Sequence, residues 1–164
     1  MSRELEDLVP RLHDAALKMK DAFELAFKDE NIELLIYCTY RSFEEQAKLY
    51  RQGRPFHVIQ GMAIRLKKKY NREDLHDILL GVGPQYGKKV TYAAPGQSLH
   101  NYRMAFDAVP LKAGRKPLWS KKEETWQVYG RIATQSGLEW AGNWKRFKEF
   151  PHVQLPNLDW RQLI

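Results

Sequence analysis

The chain has 164 residues, 43% of them hydrophobic and 12% aromatic, enough to bury a core, so one domain spanning residues 1–164 is the expectation. A formal charge of +7 favours anionic partners without choosing among them. A bilayer-spanning run of about 18 apolar residues is absent, the start MSRELEDLVPRLHD lacks the apolar block of a secretory signal, and the lone Cys38 excludes an intrachain disulfide or a cysteine zinc cluster.

From Pro10 onward, Leu12, Ala15, Ala16, Met19, Phe23, Ala26 and Phe27 recur at helical spacing, and Pro10 suits a first helical turn. IELLIYCTY is short and rich in β-branched and aromatic residues, the pattern of a buried strand. Cys38 within it reads as a small buried hydrophobe. SFEEQAKLYRQG opens with Ser42, carries Glu45 three residues on as a capping box, and closes at Gly53. Arg41 therefore falls at a strand-to-helix corner. Residues 55–92 have no clean periodicity and read as an insertion-like region holding one helix, Arg72 to Leu80, capped by Asn71.

A strand is predicted over 103–110, with a turn at Ala113-Gly114 beyond it. Ser120 with Glu123 forms a second capping box before a helix that Gly137 ends, and LEWAGNWKRFKEFPHVQLP holds two short strands around a loop. The basic clusters RLKKKY (65–70) and KRFK (145–148) read as solvated faces. No arginine-rich arm, zinc finger or RNP-like motif accompanies them, so no nucleic-acid partner is expected.

Among five histidines, His13 and His76 lie on predicted helices without a companion ligand at i+3 or i+4, His57 stands alone near a proline, and all three read as surface or packing residues. His100 has Asp107 seven residues later, and His152 has Glu149 three residues before it. A hydrolytic zinc site takes three protein ligands and keeps a fourth position open, a count that two histidines and one aspartate meet. On the strand, Ala105, Asp107 and Val109 share a face, and an antiparallel HVQL strand would bring His152 and Gln154 to it. An ion pair of Asp107 with Arg103 or with a histidine accounts for the same residues.

Three blocks resemble the D-alanyl-D-alanine carboxypeptidase and L-alanyl-D-glutamate endopeptidase family of zinc peptidases, which includes many bacteriophage endolysins. The first block is Ser98, His100, Ala105 and Asp107 within SLHNYRMAFD. The second is Glu149 and His152 within EFPH, continued by Gln154, and the third is CTYRSFEEQAKLYRQGR upstream. The resemblance implies an α+β, hedgehog/DD-peptidase-like fold, with helices packed on a small antiparallel sheet that carries the site. It implies one Zn2+ ion held by His100, Asp107 and His152, Glu149 as catalytic base and Arg41 on an oxygen of the substrate or intermediate. Gln46, Ser98 and Arg103 are candidate substrate contacts. Two departures stand out: Arg103 occupies the place of the family's glycine, and residues 55–92 replace a short connection.

The expected activity is hydrolysis of an amide bond in the peptidoglycan stem peptide, foremost the L-alanyl-D-glutamate bond. The expected setting is a monomeric bacteriolytic endolysin made in the host cytoplasm and released through a membrane pore, its charge aiding adsorption to an anionic envelope. The alternatives are a D-alanyl-D-alanine carboxypeptidase of the same fold and a non-catalytic basic module that binds the wall or nucleic acid.

Overall fold

The computed structural model describes residues 1–112, 114–120 and 124–164, and the chain divides into two compact units. The first, here the sheet unit, comprises 2–40 and 103–158; the second, the helical unit, comprises residue 1, 41–102 and 159–164.

In the sheet unit, helix α1 (Pro10–Ala26) starts on a proline, whose missing N–H costs nothing at a first position. It buries Leu12, Ala16, Met19 and Phe23 as one stripe. Among the described residues five strands follow: β1 (Glu33–Cys38), β2 (Ala105–Lys112), β3 (Lys116–Pro117), β4 (Glu139–Trp140) and β5 (His152–Gln154). All pairings are antiparallel, in the order β1-β2-β5-β4, with β3 added on β2. The central β2 begins at Ala105, later than the periodicity predicts, because Arg103 has φ +63°, a left-handed backbone that no strand continues.

Helix α5 (Glu124–Gln135) packs Trp126, Tyr129, Ile132 and Ala133 into the core that α1 and the sheet share. Each large apolar side chain buried there contributes about 1.5–3 kcal/mol. Trp140 lies between two glycines: a Cβ at Gly130 would stand 2.0 Å from its ring, and one at Gly142 2.1 Å. Gly137, at φ +77°, ends the segment as predicted. The predicted Ser120–Glu123 capping box and Ala113-Gly114 turn involve Glu123 and Ala113, which lie outside the described residues.

The helical unit holds α2 (Phe43–Arg51), α3 (Phe56–Tyr70) and α4 (Glu73–Gly81). The capping box on α2 is fully formed, Glu45 N–H donating to Ser42 Oγ at 3.2 Å and Ser42 N–H to Glu45 Oε2 at 2.9 Å. Ala47, Tyr50, Ile59, Ala63, Leu66, Leu75, Leu79 and Ala94 make this unit's own core.

Here the structure corrects the sequence reading. Residues 55–92 contain two helices, not one. The buried stripe Ile59, Ala63, Leu66 has helical spacing, but Phe56, Val58 and Ile64 stand exposed on the same helix and blur the period. Asn71 does not cap α4. It sits at φ 54°, ψ 35° and ends α3, a role its tolerance of the left-handed region allows, while Arg72 N–H returns to Leu66 O at 3.0 Å. Lys67, Lys68 and Lys69 fill the last turn of α3, where cations complement the exposed carbonyls. Among the described residues, no helix is long and apolar enough to cross a membrane.

Candidate active site

Alternation along β2 puts Ala105, Asp107 and Val109 on one face. The register sets Asp107 directly opposite His152 on β5 and opposite Cys38 on β1. The second pairing depends on a slip between Ile36 and Cys38: Ile36 faces Ala108, and one extra residue turns Cys38 toward Asp107. A thiol, a carboxylate and an imidazole thus form a row across three strands. Cys38 is fully buried, as the sequence predicts, and its Sγ lies within 4.8 Å of an Asp107 carboxylate oxygen.

His152 Nδ1 stands 3.1 Å from Asp107 Oδ1, and Nε2 stands 3.1 Å from Gln154 Oε1. In the tautomer whose Nε2–H donates to Gln154 Oε1, the Nδ1 lone pair faces the Asp107 oxygen. In that tautomer a metal ion between the two atoms would satisfy both. Two atoms each about 2.0–2.1 Å from one tetrahedral ion stand roughly 3.3 Å apart, so this pair fits two zinc ligands. A ligating histidine whose other nitrogen donates to a carbonyl oxygen is the usual arrangement around such an ion.

The segment carrying Glu149 and His152 is mounted rigidly. Tyr129 Oη donates to Pro151 O at 2.8 Å, Trp140 Nε1 to Phe150 O at 2.7 Å, and Ala108 N–H to Pro151 O at 3.1 Å. His152 N–H donates to Glu149 O at 3.3 Å, closing a turn on Pro151, and the Glu149 side chain is exposed. Burial, and then the Asp107 charge, pushes the Tyr129 phenol well above its ordinary pKa, so it stays a neutral donor. Trp144 packs its ring 5.6 Å from that of His152 and donates to Glu139. Arg103, half exposed, donates to Asp7 Oδ1 at 2.8 Å and stacks on Tyr40 at 4.5 Å. Asp107 meets a histidine, not Arg103.

The helical unit carries Arg41, Gln46, Ser98 and His100. Arg41 NH1 donates to Gln46 Oε1 at 2.9 Å, and the fully buried Gln46 donates onward to Ala93 O at 2.7 Å. Gln46 therefore orients Arg41 as well as packing. His100 is 2% exposed, in the 3-10 turn Leu99–Tyr102, and its carbonyl accepts from Arg41 N–H at 3.2 Å. Ser98, also buried, accepts from Asn101 N–H at 3.0 Å.

Asn101 is the residue the sequence reading missed. Its amide donates to Arg41 O at 2.8 Å and Ser42 O at 3.3 Å and accepts from Gly96 N–H at 3.0 Å, tying both motif turns together. A buried amide needs partners, so an asparagine next to a proposed ligand was the available signal. Tyr129 and Trp140 gave none, since aromatic residues on a helix and a strand read as core.

The family described as D-alanyl-D-alanine carboxypeptidase matches residues 92–155, which contain His100, Asp107, Glu149 and His152. The peptidoglycan L-alanyl-D-glutamate endopeptidase CwlK of Bacillus subtilis is 32% identical over 154 residues, covering 89% of this chain and 75% of CwlK. The chain belongs to this family of zinc peptidases. Among solved structures, the L-Ala D-Glu endopeptidase ChiX of Serratia marcescens shares 19% identity at TM-score 0.45, covering 92% of this chain and 82% of ChiX. The L,D-carboxypeptidase DacB from Streptococcus pneumonia shares 16% at TM-score 0.49, covering 95% and 70%. The φ of +63° at Arg103 is one that glycine, the residue expected there from the motif, adopts without strain.

Proposed function

We propose that this peptidase is a zinc-dependent peptidoglycan endopeptidase that cleaves the L-alanyl-D-glutamate bond of the stem peptide. The observation that carries the reading is the 32% identity, across 89% of the chain, with a relative named for that activity. His100, Asp107 and His152 are the residues that would hold the ion, the first by its place in the motif and the other two supported by their 3.1 Å approach. When bound, zinc supplies Lewis acidity toward the scissile carbonyl and a water activated near neutral pH.

The chain's own residues do the rest. Glu149 takes the proton of the attacking water on its carboxylate and hands it to the leaving amine. An exposed carboxylate on a turn braced from Trp140 and Tyr129 supports that role. Arg41, permanently charged and held by Gln46, steadies the carbonyl oxygen as negative charge develops on it. Gln154 keeps the His152 ring oriented, and Ser98 and Arg103 are assigned to the substrate by their place in the motif. The biological role is that of a bacteriophage endolysin reaching the wall from the cytoplasm as a monomer, with the +7 charge drawing it to an anionic envelope.

Turbidity loss of outer-membrane-permeabilised cells, with and without a chelator, tests the reading together with metal analysis of the same preparation. Chelator-sensitive lysis with about one zinc per chain is expected. New amino termini on D-glutamate in the digest support the endopeptidase, whereas free D-alanine alone makes the protein a carboxypeptidase. Zinc-free protein that binds polyanions with steep salt dependence would make it a binding module.

A further inference from the structure

A second concave site lies in the helical unit, built by residues that no catalytic role uses. It is a cavity of about 620 Å³ at the corner between α2 and α3, lined by Arg51, Arg54 and Phe56 on one side and Pro84, Gln85 and Tyr86 on the other. That volume lies within the ordinary range of small-molecule sites, about 300–1,000 Å³.

The walls are fastened in place. Gly53, at φ +68°, has no room for a Cβ, which would stand 2.5 Å from Lys89 N and 2.9 Å from Gly87 O. The loop after α4 is thus seated backbone to backbone against the corner. Arg54 donates to Tyr50 O and across to Thr91 O, stitching the same two segments. A ligand would meet a shape that already exists, which removes an ordering cost from binding.

Its chemistry is one-sided. Arg51 is 6% exposed and donates from NH1 to Leu79 O at 2.9 Å and Leu80 O at 3.0 Å, while its buried Nε has no hydrogen-bond partner. Arg54 meets carbonyls and lies 3.9 Å over the Tyr50 ring. Among the described residues no carboxylate is paired with either guanidinium, and none lines the cavity. Two permanent cations without counter-charge favour an anion. At the rim, Phe56 and Tyr86 are 56% and 87% exposed, two flat apolar faces left in water.

We propose that this cavity binds a sugar ring bearing a carboxylated peptide, a muropeptide of the wall, with the ring against Phe56 and Tyr86 and a carboxylate toward Arg51 and Arg54. Aromatic faces suit the apolar side of a pyranose, and the arginines suit the free carboxyls of the stem peptide. This rests on the peptidoglycan reading and makes the cavity a holding site for a wall strand, apart from the residues that cut.

The test uses full-length zinc-loaded protein, parent and Phe56→Ala/Tyr86→Ala, in the Glu149→Gln background for binding and the wild-type background for turnover. Calorimetry is run with the disaccharide–tetrapeptide, its carboxyl-amidated form and the sugar-free stem peptide. The rim substitutions should weaken disaccharide–tetrapeptide binding about tenfold or more. Amidation should weaken it similarly, and the kcat/KM on sugar-free peptide should be unchanged by the rim substitutions. Equal affinity of parent and rim variant overturns the proposal, as does equal affinity for the amidated ligand. If the parent cuts sacculi while the rim variant binds normally, the holding site falls and the peptidase reading stands. If the parent binds through the rim yet cuts no wall substrate, the reverse holds.

Discussion

In the sheet unit, Asp107 and His152 occupy paired positions of β2 and β5, so ladder hydrogen bonds set their separation and strand alternation sets their common face. In the helical unit, Arg41, Ser98 and His100 lie on turns, and side chains such as Asn101 and Gln46 hold those turns by bonds to backbone far away in sequence. A site mounted on a ladder tolerates loss of neighbouring side chains. One mounted on turns depends on particular amides, and each such amide is a single point of failure.

The largest effects should come from the sheet unit, where His152 stands on the ladder and Glu149 on the turn that leads into it. His152→Ala should lose metal and activity together, since two protein ligands rarely retain zinc against a chelator. Glu149→Ala should keep near-stoichiometric zinc and lose roughly two to four orders of magnitude in turnover. Metal analysis beside kinetics separates them, and an unchanged rate in Glu149→Ala, or loss of its zinc, would overturn the assignment of water activation. Next in size, Gln154→Leu removes the acceptor at His152 Nε2 and should weaken zinc affinity about 10- to 100-fold, read by competition with a chromogenic chelator.

Structural substitutions should cost less and fall differently on the two units. Asn101→Ala strands Gly96 N–H and frees the carbonyls of Arg41 and Ser42, so it should destabilise by about 2–3 kcal/mol and lower activity as well. Gly130→Ala gains about 1 kcal/mol of helix propensity, but its Cβ meets the Trp140 ring at 2.0 Å, so a net loss of about 1–3 kcal/mol is expected. If ladder mounting works as described, the properly folded fraction of Gly130→Ala binds zinc normally. Thermal melting and zinc titration of both variants check this.

The smallest effect belongs to Arg103→Gly, which relieves the left-handed backbone but gives up the contacts with Asp7 and Tyr40. The melting temperature should move by about 2 °C or less near neutral pH. The Ser2 hydroxyl first, and then Arg103, hold the Asp7 carboxyl below its ordinary value. That contribution is present above the ordinary aspartate pKa and lost as pH falls through the lowered folded value. In acid, Arg103→Gly should therefore gain on the parent, and a difference that stays flat down to low pH would discard the ion pair.

Local order was legible in the sequence. The stripe of α1, the capping box of α2, the strand at Asp107 and the glycine stop after α5 all follow from periodicity and capping chemistry within a few neighbouring residues. The pairing of Asp107 with His152 was legible too, because strand alternation puts both on one face. Three things waited for the tertiary structure. The second helix in residues 55–92 was hidden because α3 keeps Phe56, Val58 and Ile64 in water, and no local rule says which apolar residues a distant partner will cover. The Ile36/Cys38 bulge, which turns Cys38 toward Asp107, is decided by pairing with β2 some seventy residues away. The bonds of Asn101, Tyr129 and Trp140 join backbone groups that meet only after folding. What the chain says locally is set by short-range sterics and capping; burial, register and long-range hydrogen bonds are set by which surfaces finally meet.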